Sequence, residues 1–129
     1  MPMQKVANGS NFQLGDGDIT VRFQADLPVV YVVCLWGAKP QFGGQRQLVW
    51  RTEELHSARD GDKVTLPPDV AMSGMQVTWS GGIVSQGEAQ GALRVTFSQK
   101  GGETSTYSYE YQFSGKDQAE SFYDGLNFH

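Results

Sequence analysis

The chain has 129 residues, of which 16 are glycine and 12% are aromatic, and its net charge is −4. This length fits one ordinary domain and excludes two. No basic stripe is present, which argues against nucleic-acid binding and attachment to anionic lipid, since both depend on clustered Lys and Arg. The longest apolar run, of about eight residues, is far short of the roughly twenty that a membrane helix needs. A single cysteine excludes an internal disulfide.

The chain begins with polar residues 1–11, which predict a loose arm ahead of one domain spanning 1–129. A turn follows, in which Asp16 and Asp18 have the oxygen-rich character of a Ca²⁺ loop. Asp and Gly also form ordinary turns without a cation, and the EF-hand spacing is missing. Residues 19–24 (ITVRFQ) alternate apolar and polar side chains, so we predict a strand with one buried face.

The next run, Val29 to Trp36 (VVYVVCLW), is apolar on both faces. A strand with one solvated face would alternate, so we predict a central strand that is covered on both sides. Cys34 lies inside this run, where a free cysteine is expected to act as a small hydrophobe rather than as a reactive thiol.

A loop rich in Gly and Pro follows at 37–45, with Phe42 at its tip. Arg46 to Arg51 is a further predicted strand, which carries Trp50. Residues 52–58 are predicted to make one or two helical turns, capped by the threonine that begins them.

A second loop is predicted in the middle of the chain. Residues 75–80 alternate as a strand, and Ser80-Gly81-Gly82 is predicted to turn the chain so that Ile83 returns beside Trp79. The polar segment 85–91 (SQGEAQG) is predicted to be a flexible edge or an exposed loop.

The clearest pattern is the stretch from Ala92 to Phe113, in which two alternating runs flank Lys100-Gly101-Gly102. Two such runs around a Gly-Gly turn predict a β-hairpin. A two-residue loop would place the apolar set of one strand on the polar face of the other, which the pleat does not tolerate. A three-residue loop instead pairs Val95 with Tyr107 and Leu93 with Tyr109, with Gly102 in the left-handed conformation.

The last segment, 116–126 (KDQAESFYDGL), has apolar residues at helical spacing and predicts a short C-terminal helix. About eight strands with frequent turns then predict an all-β domain, most simply an antiparallel β-sandwich. A small barrel and a curved sheet are the alternatives. A curved sheet closed by the final helix would resemble the pleckstrin-homology architecture in layout alone.

Aromatic residues are the main indication of function. The buried side of a strand more often uses Val, Ile or Leu, because a buried Tyr hydroxyl needs a hydrogen-bond partner. The ladder of Tyr107, Tyr109 and Tyr111 is therefore either core or a surface with one wet end, and the alternation favours core. Rings beside carboxylates and amides suit sugars, which offer C–H faces and hydroxyls. We therefore predict a non-catalytic, lectin-like module for a carbohydrate or other polyol, with these candidate ligand-binding residues: Trp36, Phe42, Trp50, Trp79, Asp16 and Asp18.

Catalysis and metal binding have little support in the sequence. Triad chemistry needs a histidine that orients a nucleophile, but His56 lies in a polar segment and His129 is the last residue. A zinc site needs three or four His, Cys or carboxylate ligands. We therefore predict no enzyme activity and no cofactor, with Ca²⁺ at Asp16 and Asp18 as the weak exception.

The alternative function is that of a structural or assembly subunit, or a protein-interaction domain of a larger complex. The arm at 1–11 or the segment 85–91 would then pair with the sheet edge of a neighbouring molecule, giving a homo-oligomer. We expect a cytoplasmic protein, or a secreted domain without its leader, because the first residues lack the regions of a signal peptide.

Overall fold

The computed structural model describes residues 10–26, 29–38, 46–52, 56–57, 62–68 and 70–129. Within these ranges every regular element is a β-strand, which confirms the all-β prediction. The ten strands are β1 (Ser10–Phe12), β2 (Ile19–Ala25), β3 (Val29–Ala38), β4 (Arg46–Arg51), β5 (His56–Ser57), β6 (Asp62–Thr65), β7 (Gln76–Gln86), β8 (Ala89–Gln99), β9 (Thr104–Phe113) and β10 (Lys116–Phe128). None of the described residues belongs to a helix long and apolar enough to cross a membrane.

The strands form two sheets. Sheet A has six strands in the order β1-β10-β7-β3-β4, with β5 also paired to β3, and sheet B has four in the order β6-β2-β8-β9. Neighbours are antiparallel except for β1 and β10. The sheets do not close into a barrel, so that alternative is wrong.

The core lies between the inner faces of the two sheets. Alternate residues of β2, β8 and β9 are buried, as the period of two predicts. Rings from the two sheets meet there: Trp79 of sheet A lies 5.0 Å from Phe97 and 5.0 Å from Tyr107 of sheet B. Tyr109 and Phe122 stack at 5.1 Å. The packing of the sheets is therefore sandwich-like.

The hairpin formed by β8 and β9 has the predicted register. Val95 pairs with Tyr107 and Leu93 with Tyr109, which confirms the three-residue loop. The left-handed residue, however, is Gly101 with φ +70° rather than Gly102. The Gly102 N–H donates to the Gln99 carbonyl at 2.9 Å, and Gly101 is the third residue of this turn, the position at which a type II turn has a positive φ.

The predicted C-terminal helix is wrong, because residues 116–128 form the strand β10. Its buried residues from Phe122 onward alternate with a period of two, and Asp124 belongs to this buried set. A buried carboxylate is not counted as apolar in a sequence pattern, whereas the exposed Tyr123 is. The apolar residues of this segment are therefore spaced as in a helix, although the segment is a strand.

The predicted turn at Ser80-Gly81-Gly82 is also wrong, because β7 runs straight through it and pairs with β3 and β10 along its length. A Cβ on Gly81 would overlap the Val32 carbonyl oxygen and come within 2.9 Å of Phe122 Cζ. Glycine is present here because neighbouring groups approach closely, which is the second common use of this residue in strands.

The strand β3 lies between β7 and β4, and its inner residues are buried. Its other face is covered only in part, since Val30 is 8% exposed and Val32 36%. The helical turns predicted for 52–58 are wrong where the structure describes them, because His56–Ser57 form a strand on β3. The Thr52 Oγ1 accepts a hydrogen bond from the Val33 N–H at 3.1 Å.

Candidate functional site

The aromatic candidates lie in different places. Trp79 is in the core with an exposed fraction of 0%, so its ring does not reach a ligand on the surface. Trp50 is on the inner side of β4 and stacks on Phe23 at 5.6 Å. Trp36 is partly buried on the opposite side of sheet A, since Leu35 and not Trp36 pairs with Trp50. Phe42 lies outside the described residues. The described tryptophans thus form no common surface.

The tyrosine ladder belongs to the core, where the Tyr109 hydroxyl joins the two sheets. It accepts a hydrogen bond from Trp79 Nε1 at 2.8 Å and donates one to Asp124 Oδ2 at 3.2 Å. Burial raises the pKa of Tyr109, and the Asp124 carboxylate raises it further. The other carboxylate oxygen accepts the Gly125 N–H at 2.9 Å. Each of these buried polar groups therefore has a hydrogen-bond partner within the protein, and together they stabilise the fold.

Two further buried tyrosines reach polar partners at the borders of the core. The Tyr31 hydroxyl donates to the Phe23 carbonyl at 3.2 Å and contacts the Asp62 carboxylate. Burial raises the pKa of Tyr31, and the hydrogen bond to Asp62 adds to the shift. The Tyr111 hydroxyl donates to the Asp26 carbonyl at 2.7 Å. Burial, followed by the Asp26 carboxylate, raises the pKa of Tyr111 to about 12.

Asp16 and Asp18 are exposed and border a cavity of about 240 Å³ next to β2. The buried amide of Gln99 ties this loop to the hairpin: Oε1 accepts the Gly15 N–H at 2.5 Å, and Nε2 donates to the Gly17 carbonyl at 2.6 Å. Among the described residues no three His, Cys, Asp or Glu side chains are grouped to hold a metal ion. A side-chain amide therefore organises the loop's backbone.

A groove of about 810 Å³, which we call the crossover groove, is larger than the cavity beside Asp16 and Asp18. It lies at the end of the molecule where β7 leads into β8 and β9 into β10, so the chain passes between the sheets twice beside it. Its lining is mostly polar: Glu88, Ala89, Gln90, Gln112, Phe113, Ser114 and Gln118. None of these residues was a candidate ligand-binding residue from the sequence, although Glu88, Ala89 and Gln90 lie in the segment 85–91 that was predicted to be a flexible edge or an exposed loop.

Gln90 and Gln112 are the central pair of this lining. They pair directly across β8 and β9, and both are exposed. Opposed residues in an antiparallel pair have Cβ atoms about 5 Å apart, so the two amides stand side by side. In the described part of the chain no hydrogen bond engages either side-chain amide. Glu88, next to them, adds an exposed carboxylate.

The opposite side of the groove is held by the turn between β9 and β10. Gln118 Oε1 accepts the Ser114 N–H at 2.9 Å, and its Nε2 donates to Ser114 Oγ at 2.9 Å. The Gln118 N–H donates to the buried Ser85 Oγ at 3.0 Å, and that hydroxyl donates to the Gly115 carbonyl at 2.6 Å. Asp117 has φ +63° within the irregular start of β10. This side is therefore fixed before any ligand arrives.

The register of the hairpin could have revealed part of this groove. Continuing the predicted pairing of Val95 with Tyr107 toward Ala89 places Gln90 opposite Gln112. The far side depends on the turn at 114–118, which no sequence pattern indicated. Comparison of the chain with protein-family models, with curated proteins and with solved structures gives no match.

Proposed function

We propose that the protein is a non-catalytic binding module whose crossover groove takes a carbohydrate or a similar polyol. The observation that carries this proposal is the pair of exposed, unengaged amides of Gln90 and Gln112 standing side by side in that groove. An amide offers two donors and an acceptor, so it matches a sugar hydroxyl, which also donates and accepts. The ligand class remains that of the sequence hypothesis, but the residues are different.

The composition of the groove supports a neutral, hydroxyl-rich ligand. Glu88 can accept hydrogen bonds from hydroxyls, and no Lys or Arg is among the described residues of the lining to attract a phosphate or carboxylate. Its volume of about 810 Å³ lies within the range of about 300–1,000 Å³ that is usual for small-molecule sites. Gln118 and Ser114 are already ordered by each other, which lowers the entropy lost on binding.

Titration calorimetry against a panel of sugars, preceded by a glycan array, tests the proposal. The double variant Gln90→Ala, Gln112→Ala is expected to weaken binding by roughly thirtyfold, because two hydrogen bonds of about 1 kcal/mol each are lost. The matched control is Thr96→Ala, Thr106→Ala, a directly opposed pair on the same two strands away from the groove. This control should bind as the wild type does.

Two results would contradict the proposal. Flat isotherms for the wild type at millimolar sugar would remove the ligand class. Equal binding by the wild type and the double Gln variant would remove the groove, whatever the sugar.

A further inference from the structure

Most of the edge strands in the described part of the chain have features that discourage pairing with another molecule. Sheet A ends in β1, which has three residues, and in β4, which begins and ends with arginine and pairs with β3 in an irregular register. Sheet B ends on one side in β6, which has four residues and carries Asp62 and Lys63. Short, charged or irregular edges are the usual protection against edge-to-edge contact.

The strand β9, at the other end of sheet B, has none of these features. It is ten residues long and pairs with β8 in one unbroken register. It contains no proline, lysine or arginine, and Glu110 is its only charged residue. Among the described residues no strand pairs with β9 on the side away from β8. We call this side the open edge.

The register determines which backbone groups lie along the open edge. The Gln99 N–H donates to the Glu103 carbonyl at 3.2 Å, so these two residues form a hydrogen-bonded pair of β8 and β9. Such pairs alternate along an antiparallel ladder, so every second residue of β9 from Ser105 onward bonds to β8. The N–H and C=O groups of the other five residues point to the open edge: Thr104, Thr106, Ser108, Glu110 and Gln112.

The side chains of these five outward-bonding residues are all exposed. In the part of the chain that the structure describes, no other strand or loop forms a hydrogen bond with their backbone groups. The open edge is therefore a row of five free donors and five free acceptors, which is the surface that an added strand requires.

We propose that the open edge pairs with the same edge of a second copy, with the two β9 strands antiparallel across a two-fold axis at Ser108. Two four-stranded sheets then become one continuous sheet. The proposal goes beyond sugar binding and does not depend on it. It takes up the assembly alternative, but the pairing strand is β9 rather than the segment 1–11 or 85–91.

The sequence of β9 complements itself in this register. With the axis at Ser108, Thr106 lies opposite Glu110 of the second copy, and Thr104 lies opposite its Gln112. No two carboxylates are then opposed. An axis at Glu110 would instead place the two Glu110 side chains directly opposite one another, and like charges in that position are destabilising. The only charge on the strand thus excludes that register.

The axis at Ser108 also uses the open edge completely. Ser108 is the middle one of the five outward-bonding residues, so each of them meets a partner. Every such pair exchanges two hydrogen bonds, which gives about ten across the interface, the number typical of a specific protein interface. Each bond replaces one to water, so its net gain is small and the dimer is expected to be reversible.

A second copy fits the open edge better than an isolated peptide does. An added strand must continue a polar outer face and an aromatic inner face, and β9 has both. Tyr107 would lie opposite Tyr109 of the second copy on the inner face, while Ser108 would meet its counterpart on the outer face; aromatic pairs and hydroxyl pairs both stabilise sheets. A second copy brings its own sheet A to cover its inner face, whereas a peptide would leave that face bare.

Sedimentation equilibrium of the full chain from about 1 to 200 μM tests the dimer. The wild type should approach twice the chain mass of 14.2 kDa at high concentration. Ser108→Lys should stay at the monomer mass throughout, because two lysines would meet at the axis. The matched control is Thr96→Lys, which adds the same charge to the outer side of β8, one strand away from the edge, and should dimerise as the wild type does. Both variants reduce the net charge of −4 equally, so a difference between them reports the edge.

A second measurement does not depend on the variants folding. Amide hydrogen exchange of the wild type should slow at least severalfold with rising concentration at the five outward-bonding residues. The amides of Tyr107 and Tyr109, which already bond to β8, should not change. A monomer at every concentration, with constant exchange along β9, would overturn the proposal. A dimer that Ser108→Lys retains would place the interface elsewhere and overturn it equally.

Discussion

The outer faces of the two sheets differ, although their inner faces are alike. On sheet B the outward residues are hydroxylic, amide or charged: Thr20, Arg22 and Gln24 of β2, Arg94, Thr96 and Ser98 of β8, and Thr106, Ser108 and Glu110 of β9. On sheet A the outward residues of β3 and β4 include Val32, Trp36 and Leu48, with Arg51 opposite Cys34. Inward residues on both sheets are apolar and aromatic. The inner patterns are thus alike, whereas the outer side of sheet A is more apolar than that of sheet B.

The strand β3 shows the physical basis of this difference. An antiparallel strand with one wet face alternates, and β9 does so over its whole length. β3 is apolar on both sides, so its outward side chains gain free energy from any cover. That cover is uneven along β3, since Val30 is 8% exposed and Val32 36%.

The largest effect is expected from a pair of tryptophans on opposite sides of sheet A. Trp79→Ala empties the centre of the core and should lower the free energy of unfolding by about 4 kcal/mol. Trp36→Ala, on the outer side of sheet A, should lower it by about 1 kcal/mol. Urea unfolding measures both. Equal losses of unfolding free energy would mean that Trp79 and Trp36 are equally well packed, which would contradict the difference between the two sides of sheet A.

The adjacent glycines Gly81 and Gly82 of β7 allow the inner and outer sides of sheet A to be compared at two neighbouring residues. Gly81→Ala directs a methyl group at the Val32 carbonyl and the Phe122 ring, and should cost about 3 kcal/mol. Gly82→Ala faces outward, with its nearest neighbour, the Glu120 carbonyl oxygen, at 3.5 Å. That change should be neutral or stabilise by up to about 1 kcal/mol, since alanine loses less backbone entropy on folding. Thermal unfolding separates the two variants, and a costly Gly82→Ala would show that the outer side is crowded as well.

Gly81 and Gly82 also show which features of the fold could be predicted from the sequence and which could not. In β8 and β9 the alternation and the loop length determined the register, because a shift by one residue would bury polar side chains. Ser80-Gly81-Gly82 resembles Lys100-Gly101-Gly102 in the sequence and was predicted to be a turn for that reason. The reason for Gly81 is instead a close approach by β3, which lies far away in sequence and which no local pattern reports.

The C-terminal helix is a wrong prediction and the aromatic candidates lie apart from one another, for related reasons. In β10 the buried Asp124 interrupts the apolar period, and its partner Tyr109 belongs to another sheet. The candidate ligand-binding residues were chosen by residue type. Trp79 and Trp36 are of the same type but lie on opposite faces of sheet A, which the residue type does not reveal. Gln90 and Gln112 could be paired from the register, whereas Gln118 reaches the groove through an irregular turn.

The smallest effect concerns the inner side of sheet B, where the Tyr111 hydroxyl is buried, compared with the outer side of sheet A, where Tyr123 is exposed. Tyr111→Phe removes the donor to the Asp26 carbonyl and should cost about 1 kcal/mol at pH 7. Because the pKa of Tyr111 is raised from 10.0 to about 12, its neutral form favours the folded state. This contribution is complete below pH 10 and is lost as the pH rises from 10 to 12.

The difference in unfolding free energy between the wild type and Tyr111→Phe should therefore shrink as the pH rises through that window. Tyr31 and Tyr109, whose pKa values are also raised, remain in both proteins and affect them equally. Tyr123→Phe, on an exposed ring, controls for the substitution itself. Urea titrations at pH 7, 10 and 11 suffice. A difference that stays constant across them would mean that the Tyr111 hydroxyl ionises as readily in the folded chain as in the unfolded one, and that this end of the core is as wet as the outer faces.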